Sequence, residues 1–184
     1  MGIHETYRGP SEITSALKTP RIVAIAAIGK NRELGKGNEL LWRIPADLKR
    51  FKELSVGHPI VLGRKTFESI VDNLGKPLPE RQNIVVTRDA NWSYPNVVVA
   101  QSIEEAITKG KEIDNEQVTI GGGAQVYEQA LPFTDTLRLT IVDATKDADS
   151  FFPAYEKEFT KVLDEEDGEF EGLRYRFVDL ARGA

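Results

Sequence analysis

The chain has no cysteine among its 184 residues. Disulfides, thiolate metal sites and a cysteine nucleophile are therefore excluded. Histidine is almost absent too. His4 and His58 stand far apart in unlike contexts, which leaves no histidine cluster for a metal and no partner set for a serine triad, so no metal is expected. His58, in Gly57-His58-Pro59, reads as a turn residue. Nor is there an excess of basic charge. A net charge of −5 argues against general nucleic-acid binding but permits local recognition of a small anion. No apolar run reaches the length of a membrane span, so no membrane partner is expected. Residues 1–20 lack the basic start and apolar centre of a signal peptide. They read as a polar, flexible extension ending at Pro20, before a folded domain over 21–184, and the expectation is a cytoplasmic monomer.

What is present suits one α/β domain. The hydrophobic fraction of 40% and charged fraction of 29% are ordinary for a chain with a sizeable core. Arg21 to Ala27 is an apolar run of strand length, as is Pro59 to Gly63. Between them lies Gly29 to Glu39, a polar stretch with three glycines, which reads as a long functional loop. A helix is expected over Arg64 to Asn73, and strands over Asn83 to Thr87 and Asn96 to Ala100. Ser102 and Glu105 form a capping box that opens the helix Ile103 to Lys111. Gln117 to Ile120 reads as a strand, Ala124 to Leu131 as a helix, and Thr136 to Val142 as a strand. Phe159 to Glu165 and Leu173 to Leu180 complete the set as a hairpin turning at Glu166-Asp167-Gly168. The alternation implies a mostly parallel central sheet with helices on both faces, closed at one edge by the antiparallel hairpin.

Within this order Asp47 stands out. Pro45 to Leu54 reads as a short helix with Pro at its first turn. At about 100° per residue, Leu54, Phe51 and Leu48 fall at roughly −20°, 40° and 100° from Asp47. A carboxylate is thus set in the apolar face, where burial without a partner costs several kcal/mol. On this helix alone, an acid placed near the N-terminus by the helix dipole explains it equally well.

Three strand ends have the composition of a nucleotide site. Gly63-Arg64-Lys65-Thr66 joins a strand to a helix, where free N–H groups, a hydroxyl and two cations suit a phosphate. Val86-Thr87-Arg88 ends the next strand, and Ile120-Gly121-Gly122-Gly123-Ala124 lets a backbone approach a ligand closely. Open α/β sheets bind ligands at such carboxyl ends. The G-x-G-x-x-G fingerprint with its ribose-binding acid is missing. Arg64, Lys65 and Arg88 suit a 2′-phosphate instead, which favours NADP over NAD.

Taken together, Ala26-Ala27, Leu40-Leu41-Trp42, Ile44 to Leu48, Phe51-Lys52, Gly63 to Ile70, Pro77 to Asn83, Ile120 to Gly123, Val126 to Gln129 and Asp149 to Pro153 resemble a bacterial dihydrofolate reductase, in family order and near family spacing. The resemblance covers Arg21 to about Leu180. It implies the single-domain reductase fold, with an eight-stranded, mostly parallel sheet in three layers. It implies NADPH as cofactor, dihydrofolate as substrate, reduction to tetrahydrofolate for one-carbon metabolism, and binding of antifolates such as methotrexate or trimethoprim.

The resemblance also implies roles for residues. Asp47 is expected to take the N3 hydrogen and 2-amino group of the pterin, Trp42 to hold a water beside it, and Tyr127 to pack near the nicotinamide. Ile25, Ala26, Leu48, Phe51, Lys52, Ile70, Leu78, Ile120 and Thr140 are expected to line the substrate site. Arg81 is expected to pair with the glutamate α-carboxylate. The cofactor side is expected to draw on Ala27, Leu34, Gly35, Asn38 and Leu40. It further includes Gly63, Arg64, Lys65, Thr66, Ser69, Thr87 and Arg88. Its last part is Gly121, Gly122, Gly123, Ala124, Gln125 and Val126. Gly29 to Leu41 becomes a lid steadied by Asp149. Leu41 stands where many members have Pro, which removes a φ restraint from that lid. Two rivals are a related pterin or pyrimidine reductase and a non-catalytic NADPH-binding module. Arg81 beside Asp47 argues against the first, and residues for both ligands argue against the second.

Overall fold

The computed structural model describes residues 18–184, so most of the expected extension lies outside the described residues. The chain opens with β1 (Arg21–Ile28), β2 (Glu33–Lys36), β3 (Glu39–Leu40) and α1 (Pro45–Ser55). It continues through β4 (Ile60–Gly63), α2 (Arg64–Leu74), β5 (Asn83–Val86), β6 (Val98–Ala100) and α3 (Ile103–Ile113). Next come β7 (Gln117–Ile120), α4 (Ala124–Ala130), a 3-10 turn at Leu131–Phe133 and β8 (Thr136–Val142). The chain closes with β9 (Ser150–Phe151), β10 (Lys161–Phe170) and β11 (Leu173–Ala181).

Eight strands form the main sheet in the order β10-β11-β8-β1-β7-β4-β5-β6. Neighbours from β8 to β6 run parallel, while β11 is antiparallel to both β8 and β10. Alternating side chains serve two layers. Ile22, Ala24, Ile28, Val118, Leu137 and Leu139 pack under α3 and α4. Ile60, Leu62 and Val85 pack on the other face, against Phe67 of α2 and Phe51 of α1. Each such fully buried side chain contributes about 1.5–3 kcal/mol, which makes the frame stiff. The exception is α1, of whose residues only Ser55 is fully buried. Its place depends on polar ties as well as on packing.

Two expected boundaries move. The polar lid stretch is a hairpin, with β2 paired to β3 and to β9 in a second small sheet. Gly37 and Asn38 sit at its tip with φ of 59° and 64°, the two left-handed positions that a tight hairpin demands. The C-terminal hairpin does not turn at Glu166-Asp167-Gly168. It turns at Glu171-Gly172, with φ of 48° and 79°. Gly168 stays in the ladder opposite Tyr175, and a Cβ there would strike the Tyr175 ring. That glycine marks a close cross-strand approach rather than a turn.

Candidate active site

The carboxyl ends of β1, β4, β7 and β8 converge beneath the lid. On the side expected to take the substrate, α1 starts with Pro45 at its first turn and holds Asp47 in that turn. Asp47 is half-buried and accepts a hydrogen bond from Thr140 Oγ1 of β8 at 2.5 Å. Burial raises its pKa above the ordinary carboxylate range, against the Thr140 hydroxyl and the Arg50 charge, which both lower it. A carboxylate so held is poised to exchange its hydration for a ligand's paired donors. Leu48 beside it is 48% exposed. Phe51, Ile70 and Leu78 are half-buried against Ile60, Leu62 and Phe67, so these four expected wall residues line one apolar strip.

Arg81 is prepared by its own loop. The buried Asn83 side chain donates to the carbonyls of Leu78 and Arg81 and accepts the Leu78 N–H, clamping that loop. Arg81 Nε then donates to Pro79 O at 2.8 Å and a terminal nitrogen donates to Ser55 Oγ at 2.7 Å. Burial pulls its pKa down, against the charge of Glu80. The guanidinium is oriented by the C-terminal end of α1. Lys52 is exposed on the same helix.

On the side expected to take the cofactor, two glycine junctions lie side by side. Gly63 N donates to Gly122 O at 2.8 Å, and Gly121 N donates to Val61 O at 2.9 Å. The Gly122-Gly123 peptide is cis, and Gly122 has φ of 104°. A Cβ on Gly122 would stand 3.0 Å from the Tyr127 ring, and one on Gly123 would stand 3.0 Å from Thr66 Oγ1. Neither α2 nor α4 has a side-chain cap at its start. Uncapped first-turn N–H groups beside glycines leave backbone donors of the kind a phosphate can approach. Lys65 and Arg88 are exposed nearby. Arg64 is engaged by Glu68 at 2.9 Å and Asp89 at 3.5 Å.

Lid and helix meet at Asn38, whose side chain donates to Lys65 O at 3.1 Å and whose carbonyl accepts from Ser69 Oγ at 3.1 Å. Asp149 steadies the hairpin, accepting the Gly37 N–H and donating its own N–H to Gly35 O. Tyr127 is buried, and its hydroxyl donates to Ile25 O at 2.5 Å. Burial, and then the charge of Asp47, pushes the phenol up.

Not every expected residue lies where the sequence suggests. Ile120 is fully buried in the core against α3 and α4, because the side chain of the last β7 residue points away from the cleft. The single N–H of Trp42 donates to Glu33 O at 3.0 Å. Trp42 therefore offers the cleft its ring, not a donor for a water. Leu34, Ala26 and Val126 are buried, and Leu40 is 59% exposed on the lid. Thr87 spends its hydroxyl on the Asp89 N–H. Ala27, Ala124 and Gln125 lie at the same strand and helix ends.

Glu33 is a residue the sequence reading missed. It is 2% exposed, and its carboxylate accepts N–H groups from Asn31 at 2.6 Å and Lys146 at 3.1 Å. It pins the lid to the chain after β8. Lys146 lies 113 positions away, so nothing local separates Glu33 from an ordinary surface acid.

A mostly parallel sheet with two uncapped helix starts at adjacent glycine turns, and a carboxylate over a neighbouring apolar cleft, is the architecture of a nucleotide-binding α/β enzyme. The family model for dihydrofolate reductase matches residues 21–182. A type 3 dihydrofolate reductase of Salmonella typhimurium is 45% identical over 73% of this chain and 79% of its own. The dihydrofolate reductase of Neisseria meningitidis serogroup B is 38% identical over 88% of this chain and 98% of its own. A solved dihydrofolate reductase from Enterococcus faecalis, complexed with NADP(H) and RAB-propyl, superposes with a TM-score of 0.79 at 30% identity, covering 89% of this chain and 97% of that one. The chain belongs to the dihydrofolate reductase family. Its activity is the NADPH-dependent reduction of dihydrofolate to tetrahydrofolate.

Proposed function

We propose that Asp47 is the group through which this chain binds and activates dihydrofolate. The observation that carries this reading is the half-buried carboxylate held by Thr140 over an apolar strip. One carboxylate there accepts the N3 hydrogen and the 2-amino group of the pterin together. Leu48, Phe51, Ile70 and Leu78 give the flat rings an apolar wall, and Arg81 takes the α-carboxylate of the glutamate tail with a planar fork. Gly63, Gly122, Gly123 and the first turns of α2 and α4 hold the cofactor pyrophosphate, while Arg64, Lys65 and Arg88 take the 2′-phosphate. Bound NADPH supplies the hydride that reaches pterin C6. Asp47 polarises the pterin as that charge moves, and the N5 proton comes from water. The lid, pinned by Glu33, Asn38 and Asp149, keeps bulk water from the aligned rings. Tyr127 fixes the backbone of β1 at Ile25 beneath the reacting rings.

The same reading makes residues 21–184 the catalytic domain and 1–20 an extension before it, in a monomeric, cytoplasmic enzyme. On this reading antifolates such as methotrexate or trimethoprim bind in the Asp47 cleft; the Enterococcus faecalis relative, complexed with NADP(H) and RAB-propyl, takes a second small molecule along with the cofactor. Among the described residues no helix is long and apolar enough to cross a membrane. The test follows loss of reduced-nicotinamide absorbance with dihydrofolate and either NADPH or NADH. Fast loss with NADPH, slow loss with NADH and inhibition by methotrexate are expected. Tight NADPH binding without turnover would overturn the substrate assignment.

A further inference from the structure

Beneath the Asp47 helix lies a charge cluster that the reaction, as described, does not use. Arg50 is one helical turn beyond Asp47, on the same side of α1. Its guanidinium meets Asp179 of β11 at 2.6 Å, with the two side chains only 17% and 15% exposed. It also lies over the Phe177 ring, 4.7 Å from the centroid. Arg138 of β8 approaches the second Asp179 oxygen at 3.9 Å, and its Nε is buried without a partner.

Sheet register explains the convergence. Ile25, Arg138 and Asp179 are paired across β1, β8 and β11, and Ala27, Thr140 and Phe177 form the next row but one. Side chains two apart share a face. Asp47 therefore stands on the Thr140–Phe177 row and Arg50 on the Arg138–Asp179 row. The first turn of α1 has no side-chain cap, and of its residues only Ser55 is fully buried. The helix is thus tied to this end of the sheet by Thr140 and Asp179. Two arginines share one carboxylate, so the cluster presents net positive charge to Asp47.

We propose that Arg50 and Asp179 are positioning residues for the reduction, acting together to set both the seating and the ionisation of Asp47. This rests on the reading of Asp47 as the pterin-binding carboxylate. Of the charged and titratable groups on the elements packed about Asp47, those on its side are Arg50 on α1, Arg138 on β8, Asp179 on β11 and Tyr127 on α4, whereas Lys49, Lys52 and Glu53 of α1 and Arg174 and Arg176 of β11 are exposed. The Arg50 charge favours ionised Asp47, and Asp179 tempers it.

The two partners therefore act with opposite sign. Replacing Arg50 by Met removes the cation whose charge favours ionised Asp47 and raises the apparent pKa governing hydride transfer. Asp179→Asn releases two guanidiniums and lowers it. Each shift is expected to be on the order of half a pH unit. A merely structural pair would move kcat or stability in both variants without opposite shifts.

The experiment is the pH profile of single-turnover hydride transfer for the whole chain, wild type and both variants. It is paired with carboxyl NMR titration of Asp47 in the presence of NADPH. Opposite displacements in both readouts support the proposal; unmoved or same-direction profiles overturn it. Arg50→Lys, which keeps the charge without the fork, covers a failure of Arg50→Met to fold, and a wild-type profile with weaker dihydrofolate binding is its expected result. An Arg50→Lys profile displaced as far as that of an uncharged replacement overturns the proposal. An Asp47→Asn variant with normal turnover defeats the underlying reading, whereas loss of turnover there with unmoved profiles in the other variants defeats only this inference.

Discussion

On the proposed reading the cleft has a cofactor half and a substrate half, built by different means. The cofactor half is mostly backbone: glycine junctions at Gly63 and Gly121 to Gly123, joined by main-chain hydrogen bonds, with two uncapped helix starts beside them. The substrate half is mostly side chain: Asp47 on Thr140, Arg81 on Ser55 and Arg50 on Asp179. Backbone donors are fixed wherever the strand and helix are fixed, so the first half tolerates changes of side chain but not an added Cβ. The second half tolerates small backbone shifts but loses its chemistry with one atom. A dianionic pyrophosphate needs many weak donors in a fixed array, whereas a pterin needs one charge in one place.

The sharpest way to break this contrast is Asp47→Asn. Turnover with dihydrofolate is expected to fall about 100- to 1,000-fold at neutral pH, while NADPH binding, read by fluorescence quenching, stays as in wild type. Loss of both together would show that the halves are not independent. Gly122→Ala is the converse. Its φ of 104° and the Tyr127 ring 3.0 Å from the new Cβ are expected to cost about 1–3 kcal/mol. Thermal unfolding should show this, with NADPH binding lost and methotrexate still bound in the Asp47 cleft.

Arg64→Ala sharpens the cofactor side. NADPH binding is expected to weaken about tenfold, the loss of one charge-assisted contact, with NADH binding unchanged. Equal losses would remove the 2′-phosphate assignment.

A smaller effect concerns stability against pH. Burial raises the Asp47 pKa above its unfolded value, so the folded state holds more protons than the unfolded one between those two values. Wild-type stability from this group therefore declines as pH rises from about 4 through the raised folded value. Asp47→Asn lacks that decline and should melt higher than wild type at neutral pH, the gap closing near pH 4. A gap that widened on acidification would contradict the raised pKa. The least is expected of Lys36→Gln. Its ion pair with Asp147 on the lid is exposed, so calorimetry should find no change in Tm.

Much of the frame was legible in the sequence because it rests on local rules. The apolar run from Arg21, the Ser102 capping box and the glycine-rich strand ends each appear where period and turn chemistry place them. Two turns were misread for an equally local reason. Gly168 looks like a turn residue but serves a cross-strand ring, and the lid stretch looks like a loop but is a hairpin with Gly37 and Asn38 at its tip. Ile120 was assigned to the cleft although period 2 turns its side chain into the core.

The sequence by itself determined the layered fold, the glycine junctions and the presence of one acid in an apolar helix face, since spacing and composition encode these over a few residues. Only the tertiary structure decided what each charge meets. Thr140 lies 93 positions from Asp47, Asp179 lies 129 from Arg50, and Lys146 lies 113 from Glu33. Such partners are brought together by strand order and register, which no local stretch of sequence encodes, and at Asp47 burial then raises the pKa of the carboxylate.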